Sequence, residues 1–216
     1  MPLFGKPAYN RSETMARAAK LEGRGRRKKA IAEYRKVLAQ ESENVAILVK
    51  LATLLAQTKQ LEEARHKFGA AAEIYEKQAF DDKALAVLRQ AVSFLPKRVE
   101  LWERIGQLDV KRERVPEAIR DLLEGSRQFR RKKERQSAIR LLRQAVKVEP
   151  WQFDATLELA RLLGKSGARP EAHKLYAGLC ERNRSIRLRK VRAAMFRTSP
   201  TPAAAWRWLR ATLRGV

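Results

Sequence analysis

Hydrophobic residues recur along this chain at the spacing of an amphipathic helix. Two clear sets follow the i, i+3, i+4, i+7 pattern that places apolar side chains on one helix face. They are Leu48, Leu51, Ala52 and Leu55, and Ala138, Leu141, Leu142 and Ala145. The alternation expected of a β-strand does not persist anywhere in the sequence. The pattern therefore predicts an all-α protein.

Breaks in this periodicity set the boundaries of ten predicted helices. Pro116 and Pro170 suit helix starts, where a missing backbone N–H costs nothing. Pro96, Pro150 and Gly167 mark connections between helices. The predicted helices cover roughly residues 12–23, 27–40, 45–58, 61–78, 82–94, 98–111, 116–131, 134–147, 151–165 and 169–182.

The sequence also repeats itself at a shift of 54 residues. The segment from Lys83 to Pro96 resembles the segment from Ser137 to Pro150. The period runs from about residue 16 to residue 183 and spans about three helices. We therefore expect helices 61–78 and 116–131 to act both as the second helix of one pair and as the first helix of the next.

Small and large residues at these spacings resemble the tetratricopeptide repeat (TPR). The pattern of that family runs W-x2-L-G-x2-Y, then A-x3-F-x2-A, then Pro. The residues that carry the resemblance are Trp102, Ile105, Gly106, Ala118, Leu122 and Gly125, and then Ala84, Leu88, Ala91 and Pro96. We expect small residues to let two helices approach closely, and large ones to fill the space between neighbouring hairpins. The small set is Ala18, Ala52, Gly106 and Ala160, and the large set is Tyr34, Phe68, Leu122 and Tyr176.

The resemblance covers roughly residues 11–183 and implies a fold and a binding surface. The implied fold is a TPR-like, right-handed superhelical solenoid of about ten helices over residues 12–183. An N-terminal arm, residues 1–11, precedes it, and basic C-terminal helices, residues 184–216, follow it. Proteins of this kind are mostly scaffolds that bind a protein or peptide in a concave groove. The implied groove residues are Val49, Thr53, Ala56, Glu103, Gln107, Val110, Leu157 and Arg161.

Charge is distributed unevenly along the chain. The 216 residues include 48 Lys and Arg against 24 Asp and Glu, a formal net charge of +24. Residues 1–29, 111–148 and 184–216 carry +7, +8 and +9 and account for the whole excess. Localised basic patches indicate an anionic partner more strongly than a uniformly basic composition does.

The central basic patch supplies seven candidate anion-binding residues. They are Arg120, Arg127, Arg130, Arg131, Arg140, Arg143 and Lys147. We expect Arg120, Arg127 and Arg131 to share one face of helix 116–131. The alternative is a solvated charged face, partly neutralised by Glu124 and Glu134. The loop from Arg24 to Lys29 is similar and leaves the same two alternatives open.

The C-terminal tail predicts two further basic amphipathic helices, 185–197 and 203–214. Trp206 faces one side of the second helix, and Arg207, Arg210 and Arg214 face the other. Such a tail can cap the last repeat, lie on an anionic membrane surface or hold an acidic partner helix.

Candidate enzymatic chemistry is sparse. His66 and His173 are far apart in the array, and neither has a nucleophile and a carboxylate placed near it by sequence. Cys180 is the single cysteine, and no glycine-rich phosphate loop or metal-ligand spacing is present. We expect no enzyme, no cofactor and no bound metal. No signal peptide or membrane-spanning stretch is recognised, which favours a cytoplasmic location.

These observations predict a cytoplasmic scaffold that binds an acidic protein or peptide client through its groove and basic patches. A nucleic-acid-associated repeat protein, with the patches on phosphate backbones, is the first alternative. A peripheral membrane adaptor that uses its tail is the second.

Overall fold

The computed structural model describes residues 9–198, and within them the chain forms eleven α-helices and no strand. The helices are α1 (Arg11–Gly23), α2 (Arg27–Gln40), α3 (Val45–Gln57), α4 (Leu61–Lys77), α5 (Asp81–Phe94), α6 (Val99–Lys111), α7 (Val115–Arg127), α8 (Arg135–Val148), α9 (Phe153–Ser166), α10 (Arg169–Arg182) and α11 (Ser185–Thr198). A short 3-10 turn, Lys132–Glu134, precedes α8. The all-α prediction is confirmed, and the predicted helices are present.

The chain divides into two compact units after Pro96. In the first unit, α4 packs against both α3 and α5, and α3 also contacts α5. In the second unit, α6, α7 and α8 repeat this arrangement, and so do α9, α10 and α11. Each cluster thus consists of three mutually contacting helices. The clusters begin at Val45, Val99 and Phe153, which explains the 54-residue period. As expected, α4 and α7 each pack against the helices on both sides.

Turns between helices repeat with the same period. Lys59, Glu113 and Gly167 lie 54 residues apart and all adopt left-handed backbone conformations, with φ of 66°, 58° and 94°. Gly25 and Ala79 are a second such pair, with φ of 69° and 60°. A residue in this conformation ends a helix and reverses the chain, and glycine adopts it most easily.

Close helix contacts depend on the predicted small residues. A Cβ atom at Gly106 on α6 would lie 2.9 Å from the Leu122 side chain on α7, and one at Gly125 would lie 2.6 Å from the Trp102 ring. Leu122 therefore packs against the α6 helix of its own pair, where Gly106 leaves room for it.

The predicted helix 116–131 ends four residues early, at Arg127. Gln128 N–H donates to Gly125 O and Phe129 N–H to Ser126 O, so the last turn tightens to i→i+3 bonds. The Ser126 hydroxyl also donates to Leu123 O at 2.7 Å. Arg131 therefore lies beyond the helix and not on one face with Arg120 and Arg127, and Phe129 turns inward to 6% exposure.

Candidate basic binding pocket

A cavity of about 530 Å³ opens in the second unit between α7, the α7–α8 segment, α9 and α11. Cations dominate its lining, with only Asp154 and Glu158 as lining carboxylates. The seven basic residues are Arg127, Arg130, Arg131, Arg135, Arg161, Lys165 and Lys190. We call this cavity the basic pocket. It concentrates more positive charge than its own carboxylates can neutralise.

Five elements bring these cations together: α7, the α7–α8 segment, α8, α9 and α11. Arg130 and Arg131 enter from the segment that replaces the last turn of the predicted helix 116–131. One face of α9 supplies Arg161 and Lys165, spaced one helical turn apart. Lys190 comes from α11, which packs against both α9 and α10.

Arg135 connects two walls of the basic pocket. It is the first residue of α8, and its guanidinium donates a hydrogen bond to the carbonyl of Lys165 near the end of α9. A cation at a helix C-terminus also interacts favourably with the helix dipole. Arg135 therefore holds the two helix ends together while it adds charge to the lining.

Only some of the cations that line the basic pocket form salt bridges with carboxylates. Arg127 pairs with Glu124 at 3.3 Å and Arg161 with Glu158 at 3.1 Å. Both pairs are substantially solvent-exposed, so each contributes little stability. Within residues 9–198, Arg131, Lys165 and Lys190 make no salt bridge.

Glu134, the acidic residue that follows the basic segment 130–133, is already paired with another cation, Lys97. Lys97 Nζ donates to Glu134 Oε1 at 2.7 Å, and Arg131 N–H donates to Oε2 at 3.3 Å. The hydrogen bond from Lys97 is the main reason why the pKa of Glu134 lies below its ordinary value. Glu134 thus stays charged, and its carboxylate is shared with Lys97.

Apolar side chains form the rest of the lining: Leu123, Phe129, Phe153, Leu157 and Leu162. Phe129 is almost completely buried. The guanidinium of Arg187 lies 5.1 Å from the centre of the Phe153 ring. Phe129 therefore offers no open face on which a nucleic-acid base could stack, and Arg187 lies against one face of the half-buried Phe153 ring.

The eight predicted groove residues fall in different surroundings. Leu157 and Arg161 line the basic pocket. Val49 and Thr53 are half-buried on α3, and Gln107 and Val110 are exposed on α6. Ala56 and Glu103 are buried, at 5% and 6% exposure. They therefore do not lie on the open groove surface where they were expected.

Only three of the seven candidate anion-binding residues line the basic pocket. They are Arg127, Arg130 and Arg131. Two others are engaged within the fold, because Arg140 pairs with Glu103 and Arg143 pairs with Glu171 at 2.9 Å. Arg120 lies 3.2 Å from neighbouring Asp121, and Lys147 is exposed away from the pocket.

Sequence reasoning missed Arg135, Lys165 and Lys190 as members of the site. A signal existed for Lys165, since it follows Leu157 and Arg161 at intervals of four residues on one helix face. Arg135 and Arg27 are 108 residues apart, twice the period, and Arg27 Nε likewise reaches the end of the next helix, donating to Gln57 Oε1 at 2.9 Å. Nothing in the spacing connected Lys190 with residues so far away in sequence.

The first unit contains a second basic cavity of about 460 Å³ at the loop Arg24 to Lys29. Arg26, Arg27, Lys28 and Lys29 line it together with Gly25, Gln57 and Thr58. It is more open than the basic pocket, and no large apolar side chain lines it. A solvated turn remains the alternative there.

The second predicted tail helix, with Trp206, Arg207, Arg210 and Arg214, lies outside the described residues. Residues 9–198 include no helix with both the length and the apolar character needed to cross a membrane. In the same range, no three His, Cys, Asp or Glu side chains come together as a metal site would require.

Residues 21–79 match a family model described as tetratricopeptide repeat. Tetratricopeptide-repeat sequence is thus shown for this segment of the chain. The repeat extends beyond the matched segment, because the packing of α3–α5 recurs in α6–α8 and in α9–α11. No curated protein matches the sequence.

Solved structures that resemble this TPR-like chain do so at low identity. The nearly identical TPR-like repeats of a Podosopora anserina protein are 21% identical over 88% of this chain and 97% of that one, with a TM-score of 0.40. MamA is 17% identical over 92% and 93%, with a TM-score of 0.34. The human IFIT1 dimer with PPP-AAAA is 22% identical over 86% and 45%, with a TM-score of 0.34. The assignment of residues 21–79 to the tetratricopeptide repeat comes from the family model and not from these superpositions.

Proposed function

We propose that this TPR-like protein is a non-enzymatic, cytoplasmic scaffold that binds an acidic segment of a protein client in the basic pocket. TPR-like folds generally mediate protein–protein interactions. The observation that carries the proposal is one cavity lined by seven cations, two carboxylates and several apolar side chains. Binding energy in such a site comes from apolar burial, and charge complementarity selects the partner.

Three cations of the pocket are ready to receive a client carboxylate. Arg131, Lys165 and Lys190 come from three different elements and make no salt bridge within residues 9–198. Arg140 and Arg143, which the sequence placed in the same class, are already paired inside the fold. The proposed site therefore differs from the one that charge runs alone indicate.

The apolar lining favours a protein segment over a nucleic acid. Leu157 and Leu162 offer aliphatic contacts to a client side chain, whereas Phe129 is buried and Arg187 lies against the half-buried Phe153 ring. Single-stranded nucleic acids are usually held by successive open aromatic platforms as well as by cations. The pocket provides the cations without such a series of rings.

The test compares two triple variants of the full chain. R131Q/K165Q/K190Q removes three of the pocket cations that make no salt bridge, one from each of three elements. K147Q/K174Q/R189Q removes three exposed cations of the same unit that lie off the pocket lining. Both variants have the same net charge, so a difference between them reports location and not overall electrostatic attraction.

The probe is a short fluorescein-labelled peptide of glutamate, aspartate and leucine, followed by fluorescence anisotropy. We expect the pocket variant to bind about tenfold or more weakly, a loss of about 1.4 kcal/mol, and the control variant to bind like the parent chain. Equal losses in both variants would overturn the proposal. Tighter binding of a single-stranded RNA of the same net charge, with steep salt dependence, would favour the nucleic-acid alternative.

A further inference from the structure

We infer that the basic pocket recognises a phosphorylated serine or threonine in the client segment. This inference rests on the proposed function, which requires only an acidic segment. It adds the chemical identity of the central anion. A phosphoryl group carries about −1.5 to −2 charge at neutral pH and presents three strong acceptor oxygens.

The charge imbalance of the pocket exceeds what a single carboxylate neutralises. Elsewhere in the fold one carboxylate pairs with one arginine. Glu63 forms a salt bridge with Arg35 at 2.6 Å, and Glu171 forms one with Arg143 at 2.9 Å. In the pocket, Glu158 pairs with Arg161 and Glu124 with Arg127, and the five other cations make no salt bridge within residues 9–198. A dianion with three acceptor oxygens matches a cavity lined by several such donors better than a carboxylate with two oxygens does.

The donors are of the types that phosphate recognition uses. Arg130 and Arg131 are adjacent in the chain, and both line the cavity. Arginine presents a planar fork of donors that fits phosphate oxygens, and lysine adds a compact point charge. Lys165 and Lys190 supply that second type from α9 and α11.

Part of the positive charge is specific to the α6–α8 cluster. One period earlier, the residues that correspond to Arg127 and Arg130 are Glu73 and Glu76, whereas Arg131 and Lys165 correspond to Lys77 and Lys111. The repeated three-helix architecture thus forms with acidic residues at the first two positions and carries cations at the other two. We attribute the reversal of charge at Arg127 and Arg130, which adds to the recurring cations, to a ligand.

The test uses one acidic peptide in three forms that differ at a central residue: serine, glutamate or phosphoserine. Anisotropy is measured with the parent chain, R131Q/K165Q/K190Q and K147Q/K174Q/R189Q, and circular dichroism checks that each variant is folded. We expect phosphoserine to bind about tenfold or more tightly than serine, and clearly more tightly than glutamate. We expect this preference to disappear only in the pocket variant.

The possible failures are distinguishable. If the parent chain binds the glutamate and phosphoserine peptides equally, the phosphate inference is wrong and the acidic-client proposal stands. If the phosphoserine preference persists in the pocket variant, the phosphate is recognised elsewhere and the inference is wrong. If none of the three peptides binds the parent chain, both the inference and the proposed function fail.

Discussion

Arg140 on α8 forms a salt bridge with Glu103 on α6, joining the first and third helices of one cluster. The Glu103 side chain is only 8% exposed. Arg140 contacts both of its oxygens, with Nη2 donating to Oε2, and Gln144 Nε2 also donates to Oε1 at 3.3 Å. The carboxylate therefore depends on α8 for its hydrogen bonds. This contact makes Arg140 a structural residue of the three-helix cluster, although its sequence context is that of a charged surface.

Removing the guanidinium should destabilise the protein. Arg140→Gln leaves the buried Glu103 carboxylate with weaker partners, and a lost hydrogen bond to a charged group costs about 1.5–3 kcal/mol. Because Arg140 is itself 59% exposed, water replaces part of the interaction, and we expect a loss of about 1–2 kcal/mol. Urea denaturation measures it, with Lys147→Gln on the same helix as control. An unchanged unfolding midpoint for Arg140→Gln would show that the contact does not stabilise the cluster.

A second prediction concerns the left-handed turns. Ala79→Gly should stabilise the protein by about 0.5–1 kcal/mol, because glycine relieves the unfavourable backbone conformation at φ 60°. The matched change is Gly25→Ala at the corresponding position one period earlier, where φ is 69° and no atom lies within 4 Å of an added Cβ. It should destabilise by a similar amount. Thermal unfolding of both variants measures the effects, and changes of the same sign would refute the explanation.

Replacing a helical glycine with alanine should change the stability in a direction that depends on the atoms around it. Gly125→Ala should destabilise by about 1–3 kcal/mol, because the new Cβ would lie 2.6 Å from the Trp102 ring. Gly69→Ala on α4 meets nothing within 4 Å and should stabilise through higher helix propensity, by about 0.5–1 kcal/mol. Chemical denaturation of the pair separates crowding from propensity. A stable Gly125→Ala variant would mean that α6 and α7 can move apart freely.

The hydroxyl of Thr156 is buried without a hydrogen-bond partner. Thr156→Val replaces it with a methyl group of similar size, and we expect a gain of about 1 kcal/mol because an unsatisfied buried group is removed. Thr53→Val is the control. That hydroxyl donates to Val49 O at 2.9 Å and accepts from Gln90 Nε2 at 3.1 Å, so its loss should destabilise. If both variants were destabilised alike, Thr156 would have a partner in solution.

The helices could be predicted because their information is local. Apolar periodicity, as at Leu48 and Leu55, and turn residues such as Gly167 set helix limits within a few residues. The 54-residue period also predicted that α4 and α7 contact helices on both sides. The early end of α7 could not be predicted, because it depends on Phe129 turning into a core formed by other helices.

The candidate site was less predictable because charge–charge contacts are long-range. Arg140 and Glu103 are 37 residues apart, and Arg143 and Glu171 are 28 apart. Sequence spacing shows which cations share a helix face, but not which of them already have a carboxylate on another helix. For the same reason, Lys190 on α11 could not be assigned to a pocket that begins at Leu123.

The most direct test of the central proposal locates the bound client on the protein. Backbone amide NMR spectra of the full chain are recorded during titration with the glutamate, aspartate and leucine peptide. We predict chemical-shift changes concentrated at residues 126–135, on the Asp154–Lys165 face of α9 and at Lys190, with little change at Gln107 and Val110. Changes spread over the exposed cations of both units, with none concentrated at the basic pocket, would contradict the proposal.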